Sequence, residues 1–91
     1  MRVYWTDTAV EHLEAIHKYV AKNSKLYADR LIHRLIRRSE QIAEFPLSGR
    51  IVPEYMTENI REVIERPYRI IYLIKVEQID ILTVVHGNQE L

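Results

Sequence analysis

The 91-residue sequence contains no cysteine, only two glycines and three prolines, and no long apolar run. The absence of cysteine excludes disulfides, thiolate metal ligands and a cysteine nucleophile. The longest apolar run, residues 70–74, is far shorter than the ~20 residues that span a membrane. The first seven residues, MRVYWTD, lack the apolar stretch of a signal peptide, so we expect a cytoplasmic protein.

The sequence also has no excess of charge of either sign, because 13 Lys and Arg balance 13 Asp and Glu. Proteins that bind phosphate backbones are usually basic, so the overall charge does not favour a nucleic-acid partner. The two halves nevertheless differ: residues 1–40 carry 8 basic and 5 acidic side chains, and residues 41–91 carry 5 and 8. A chain of this length has room for one hydrophobic core, and we expect a single domain over residues 1–91.

The first half of the chain has helical periodicity. After a short β-forming segment at residues 3–5, apolar residues recur at i, i+4, i+7 and i+11 from Ala9, which predicts a helix. Either Thr6 or Thr8 has the spacing to cap its start. A second apolar stripe from Ala28 predicts a longer helix that ends before Pro46, since proline cannot continue it.

Beyond Pro46 the period changes from 3.6 to 2. Segment 46–58 is interrupted by Pro46, Gly49 and Pro53 and is predicted to be a loop. Segments 60–65, 68–76 and 79–86 are rich in Ile, Val and Tyr and are predicted to be strands. Segment 68–76 is apolar on both faces, as expected of a central strand. The order β-α-α-β-β-β predicts an α+β fold in which a two-helix hairpin packs on an antiparallel sheet.

Four histidines raise the question of a metal site. His12 and His17 are five residues apart, which places them ~140° apart around a helix. Two ligands on one helix face need i, i+4 spacing instead. We therefore predict no metal site and no small-molecule cofactor.

Four arginines share one face of the second predicted helix at i, i+4, i+7 and i+8. They are Arg30, Arg34, Arg37 and Arg38. One interpretation is the solvated side of an amphipathic helix. The other is a docking surface for an acidic protein or a phosphate backbone.

A second group of arginines lies in the C-terminal half of the chain. It consists of Arg50, Arg61, Arg66 and Arg69. With His86 they could form a cationic pocket for metal-free RNA cleavage, in which arginines stabilise the phosphorane and histidine transfers protons. The alternative is that these arginines form salt bridges with the four glutamates between residues 54 and 65.

Several segments, in this order, resemble the RelE/ParE superfamily of toxins from bacterial type II toxin–antitoxin modules. They are Trp5-Thr6, Phe45-Pro46-x-x-Gly49-Arg50, Ile60-Arg61-Glu62-Val63, Tyr68-Arg69-Ile70-Ile71-Tyr72 and Val84-Val85-His86-Gly87. The resemblance extends over nearly the whole chain and implies the same fold that the periodicity predicts.

The superfamily has two branches with different targets. RelE-like members are ribosome-dependent mRNA endonucleases, whereas ParE-like members inhibit DNA gyrase by binding it. Arg69 matches an arginine of the nuclease members, and His86 lies near the position where some carry a histidine. However, Gly87-Asn88-Gln89 rather than a tyrosine follows His86, and segment 46–58 has no lysine cluster.

The resemblance is therefore closer to the ParE-like branch, and it implies a gyrase inhibitor with no catalytic residue. Two alternatives remain open. One is a ribosome-dependent endoribonuclease that acts on mRNA with Arg61, Arg69 and His86. The other is a non-toxic binding module with the same fold.

The resemblance also implies a cognate antitoxin, part of which folds onto the toxin. Candidate contact residues are aromatic side chains near the predicted helix hairpin, together with the arginines of the second helix: Trp5, Tyr19, Tyr27, Arg30, Arg34, Arg37 and Arg38.

Overall fold

A computed structural model describes residues 1–88 of the chain. The elements are β1 (Arg2–Trp5), α1 (Asp7–Ala21), α2 (Lys25–Glu44), β2 (Arg50–Ile51), β3 (Ile60–Glu65), β4 (Tyr68–Ile74) and β5 (Gln78–His86), with a 3-10 turn at Pro46–Ser48. The helices form a hairpin and the strands form one sheet, which confirms the predicted α+β fold. No helix in the described range is long and apolar enough to cross a membrane.

The sheet has the strand order β1-β5-β4-β3-β2. Neighbours among β2, β3, β4 and β5 are antiparallel, but β1 runs parallel to β5, so the sheet is mixed rather than wholly antiparallel as predicted. Short hairpins force antiparallel pairing, whereas the chain between β1 and β5 is long enough for a parallel pair. The short strand β2 lies in the segment predicted to be a loop and pairs with β3.

The hydrophobic core lies between the helix hairpin and one face of the sheet. Leu31 and Leu35 of α2 are buried there with Ile70 and Tyr72 of β4. Because side chains alternate along a strand, Arg69 projects from the opposite side. We call this second side, away from the helices, the outer face of the sheet.

Both helices begin at hydroxyl caps. The Thr6 hydroxyl oxygen accepts a hydrogen bond from the Ala9 amide at 3.2 Å, and its own proton is donated to the Ile81 carbonyl at 2.7 Å. Thr6 rather than Thr8 is therefore the cap of α1, and it also ties the helix to β5. Ser24 caps α2 in the same way, since its hydroxyl oxygen accepts from the Tyr27 amide at 3.1 Å.

Candidate functional site

An ion network crosses the outer face of the sheet. Arg69 Nε donates to one oxygen of Glu62 at 2.6 Å, and Arg50 Nε donates to the other oxygen at 2.5 Å. Arg69 Nη2 also contacts Glu54 at 3.3 Å. The register explains the arrangement, because Arg50 lies directly opposite Glu62 on β3, and Arg69 lies on the next strand.

The network neutralises the Arg69 guanidinium. Burial opposes its charge, but hydrogen bonds to Glu62 and Glu54 outweigh that penalty and raise the pKa of Arg69 above its ordinary value. The Glu62 side chain is itself fully buried. The sequence-based alternative, that glutamates pair with the arginines of this half, is confirmed for Arg50 and Arg69.

Arg61 is bound to backbone rather than to a carboxylate. Its guanidinium donates to the carbonyl oxygens of Glu58 at 2.9 Å and Gly49 at 3.0 Å. It therefore holds the start of β3 against the turn that precedes β2.

His86 lies at the far end of the sheet from Arg61. Its ring packs edge-on against Tyr68, with 5.8 Å between the ring centroids. On β4, Arg61 lies opposite Tyr72 and His86 lies opposite Tyr68. These two positions are four residues apart, so Arg61 and His86 are displaced by ~13 Å along the strand direction. Arg69 projects from the outer face, so the structure does not bring these three residues together.

An apolar groove lies between α1 and the end of β5. It has a volume of about 460 Å³, and its lining includes His12, Ile16, Tyr19, Tyr68, Val84 and His86. Tyr19 is 70% exposed at its rim. Burial raises the pKa of Tyr68, which keeps its hydroxyl neutral.

Tyr19 is among the contact residues predicted from the sequence, whereas this groove is not predicted from it. The residues of its floor come from α1, β4 and β5, and only the sheet register brings them together. The apolar alternation of β5 was visible in the sequence but was equally consistent with a filled core.

The predicted aromatic contact residues fall into two environments. Trp5 packs against the core, and its indole N–H donates to the Ser39 hydroxyl at 3.2 Å. Tyr27 is 49% exposed, and Tyr19 is more exposed still. The structure therefore leaves the two tyrosines accessible to a partner and places Trp5 inside the helix–sheet layer.

The predicted arginine face of α2 is also divided. Arg34 donates to Glu65 at 3.2 Å and to the Arg66 carbonyl at 2.7 Å, and Arg38 lies 3.8 Å from the same Glu65. Within residues 1–88, the guanidinium groups of Arg30 and Arg37 form no hydrogen bond or ion pair. One part of this face is therefore fastened to the sheet and another part is open to solvent.

His12 and His17 make separate contacts with neighbouring side chains. His12 Nδ1 lies 2.6 Å from the Thr83 hydroxyl, and His17 Nε2 lies 2.7 Å from Asp29. Hydrogen bonds from His17, the larger cause, and from Lys25 lower the pKa of Asp29. In the part of the chain that the structure describes, no three His, Asp or Glu side chains are grouped to hold a metal ion.

The fold, a helix hairpin on a five-stranded sheet, is shared with chains of solved toxin–antitoxin systems. The chain matches a structure of the chromosomal ParDE TA system from P. aeruginosa with a TM-score of 0.78. The match covers 94% of this chain and 95% of the other at 22% identity. It also matches the RelBE2 toxin–antitoxin complex from Mycobacterium tuberculosis with a TM-score of 0.71, at 20% identity over 93% and 95% of the two chains.

Sequence comparisons identify the family. Residues 3–91 match the family described as the ParE toxin of the type II toxin–antitoxin system parDE. The chain is 33% identical to Y4kP of Sinorhizobium fredii, whose name describes a toxin, over 98% of this chain and 91% of the relative. It is 34% identical to Toxin RelE2 of Caulobacter vibrioides, over 94% of each chain. The chain therefore belongs to the ParE toxin family of type II toxin–antitoxin systems.

Proposed function

We propose that this toxin inhibits DNA gyrase by binding the enzyme in the cytoplasm, and that a cognate antitoxin neutralises it by occupying the toxin's surface. The observation that carries the proposal is the state of Arg69. Its guanidinium is enclosed by Glu62 and Glu54, so it is not available to stabilise a phosphorane. The separation of Arg61 from His86 also supports binding rather than catalysis.

The apolar groove beside α1 is the surface that we assign to the antitoxin. It has an apolar floor with two tyrosines and two histidines around it, and these amphipathic rings suit a protein interface. Tyr19 is far more exposed than Tyr68 and lies at the rim. The solved neighbour from P. aeruginosa is a ParDE system, in keeping with such a partner.

The second candidate function is ribosome-dependent mRNA cleavage. One observation favours it: Toxin RelE2 of Caulobacter vibrioides is 34% identical to this chain over 94% of its length. Under this alternative, the contact between Arg69 and Glu54 has to open on the ribosome so that the guanidinium reaches the phosphate.

Two assays on the same purified chain separate these functions. In a supercoiling and DNA-cleavage assay with gyrase, we expect inhibition at micromolar toxin. In a translating extract, we expect the message to stay intact. Cleavage of mRNA that is lost in Arg69→Gln and kept in the exposed control Arg37→Gln would instead establish the nuclease. A chain inactive in both assays, and without effect on growth when expressed alone, is a non-toxic binding module.

The antitoxin surface is tested with a charge placed in the groove. The chain is co-expressed with the product of the reading frame adjacent to its gene, and complex formation is measured by titration. Tyr19→Asp should weaken binding more than tenfold, because it puts an unpaired charge into an apolar contact. Tyr4→Asp is the matched control, since Tyr4 is 50% exposed on the edge strand β1. Equal affinities for the two variants would exclude the groove as the docking surface.

A further inference from the structure

A depression with a cationic lining lies on the exposed side of α2. It has a volume of about 390 Å³ and is lined by Asp29, Arg30, His33, Arg34 and Arg37. We call it the α2 depression. Its lining extends over little more than two turns of one helix, ~12 Å along the axis, so the charged groups are close together.

The arginines of the α2 depression repel one another. Arg34 lies four residues after Arg30 and three before Arg37, and these spacings place side chains next to each other on a helix. No Asp or Glu occurs between residues 30 and 39. Like charges at such spacings destabilise a helix, so a counter-charge bound between them would stabilise it.

The acidic residue of the lining is already neutralised. The carboxylate oxygens of Asp29 lie 2.7 Å from His17 and 3.0 Å from Lys25. Within residues 1–88, the guanidinium groups of Arg30 and Arg37 and the imidazole of His33 form no hydrogen bond or ion pair. These three groups are therefore available to a ligand.

Arg34 is the anchored member of the α2 depression. It donates to the Glu65 carboxylate at 3.2 Å and to the Arg66 carbonyl oxygen at 2.7 Å, which hold its side chain against the end of β3. The depression thus combines one fixed guanidinium with two that can turn towards a ligand, one helix turn before it and one after it.

We propose that the α2 depression binds the di- or triphosphate group of a small molecule. In this complex Arg30 and Arg37 bind phosphate oxygens from either side, and a ring N–H of His33 donates a further hydrogen bond. Arginine suits this role because its planar guanidinium binds a phosphate through two parallel hydrogen bonds. The volume of about 390 Å³ lies within the range of small-ligand sites, ~300–1,000 Å³.

A compact polyphosphate fits the α2 depression better than a nucleic acid does. Duplex DNA carries one charge per ~1.7 Å over its whole length, and proteins hold it through many phosphate contacts in a row. Arg30 and Arg37 are only ~10 Å apart along the helix axis, and the chain as a whole has no net positive charge. A triphosphate instead places several negative charges within that short distance.

The proposal does not depend on whether the toxin inhibits gyrase. The α2 depression and the groove between α1 and β5 have no lining residue in common. A polyphosphate can therefore be tested on the purified chain without either protein partner.

The experiment uses the full chain and five defined probes at low ionic strength. Four are small: orthophosphate, pyrophosphate, tripolyphosphate and ATP. The fifth is a DNA duplex of about twenty base pairs. Calorimetry measures binding, and NMR follows the side-chain N–H signals of the arginines.

We expect affinity to rise at least tenfold from orthophosphate to tripolyphosphate, because more of the cations are engaged. Arg30→Gln with Arg37→Gln should weaken tripolyphosphate binding at least tenfold. Arg2→Gln with Lys18→Gln is the matched control, because it removes the same charge from other exposed positions, and it should change affinity less than twofold. Asp29→Asn should strengthen binding, because it removes a negative charge from the lining.

The ATP titration distinguishes the two sources of the phosphate group. Tighter binding of ATP than of tripolyphosphate would identify a nucleotide, and equal or weaker binding of ATP would identify an inorganic chain; either result supports the site. Shifts of the Arg30 and Arg37 signals should accompany binding in the native chain.

Three results would overturn the proposal. They are no binding of tripolyphosphate at millimolar concentration, equal losses of affinity in the two double variants, and tighter binding of the duplex than of any small probe. Thermal unfolding verifies that the double variants retain the fold. Because all four substituted residues are charged and exposed, we expect their melting curves to match that of the native chain.

Discussion

The outer face of the sheet and the exposed side of α2 both carry arginines, but their surroundings differ. On the sheet, Arg69 lies between two glutamates and only 7% of its side chain is exposed. On α2, the guanidinium groups of Arg30 and Arg37 have no hydrogen-bond or ion-pair partner among residues 1–88. Residue type alone therefore does not define the role of a charge. Burial and neutralisation make the first arginine part of the structure, and exposure leaves the other two free to bind.

The largest expected effect comes from breaking the sheet network. Arg69→Leu leaves the buried Glu62 carboxylate with Arg50 alone, and we expect it to lower the free energy of unfolding by about 3 kcal/mol. Urea denaturation followed by circular dichroism measures this loss. Arg37→Leu, the control on α2, should change stability by less than ~0.5 kcal/mol. Similar losses of stability in Arg69→Leu and Arg37→Leu would show that Arg69 is no more important to the fold than an exposed arginine of α2.

The second prediction tests how tightly the chain is packed around Gly49, which lies next to the ion network of the sheet. A Cβ atom added at Gly49 would lie 2.5 Å from the Tyr72 hydroxyl and 2.6 Å from the Glu62 carbonyl oxygen. Gly49→Ala should therefore cost about 2 kcal/mol, because backbone atoms have to shift. At Gly87 the nearest atom, the Pro67 carbonyl oxygen, is 3.2 Å away. The melting temperature of Gly87→Ala should accordingly fall much less, and the reverse order would contradict the packing.

A third variant makes the α2 surface more basic. Glu65→Gln releases Arg34 and Arg38 from their shared carboxylate, which is partly exposed. Because such pairs contribute little, stability should fall by no more than ~1 kcal/mol. Urea denaturation of the variant beside the native chain measures this difference. A loss as large as that expected for Arg69→Leu would place Glu65 with the structural charges instead.

The smallest expected effect is the contribution of Asp29 to stability at different pH values. The folded-state pKa of Asp29 is lowered by hydrogen bonds from His17 and Lys25, so its ionised form stabilises the fold at pH values above its unfolded pKa of ~3.9. This contribution is lost as the pH falls through the lower folded-state pKa. Asp29→Asn should thus be slightly less stable than the native chain at pH 6, and the difference should vanish near pH 2. A difference that grows on acidification would contradict this sign.

Local sequence patterns predicted most of the helices and strands. The features that they did not predict depend on contacts between distant parts of the chain. The apolar stripes predicted both helices. The apolar residues on both faces of segment 68–76 predicted a central strand, and β4 is the middle strand of the sheet. The spacing around Thr6 and Thr8 could not choose between two caps, because the contact of Thr6 with the Ile81 carbonyl joins distant parts of the chain. The parallel pairing of β1 could not be predicted either, since strand direction depends on the path of the helices.

The candidate sites show the same division. The sequence placed Arg30 and Arg37 on one helix face, because helical spacing is a local property. It offered Arg69 two roles, a phosphate contact or a salt bridge, and it contained no information to choose between them. It contained no signal for the groove beside α1, whose lining comes from three separate elements.

Residue order alone establishes the absence of thiol chemistry, the helical and strand periods, the chain-wide resemblance to toxins and the balance of charge. That balance is a sum over the chain, and which charges neutralise one another depends on how the chain folds. Glu54, Glu62 and Arg69 are separated along the chain and meet because the register of β3 and β4, with the segment before β3, brings them within hydrogen-bonding distance. Charge–charge energies depend on distance and on exclusion of water, and both are set by packing rather than by residue order.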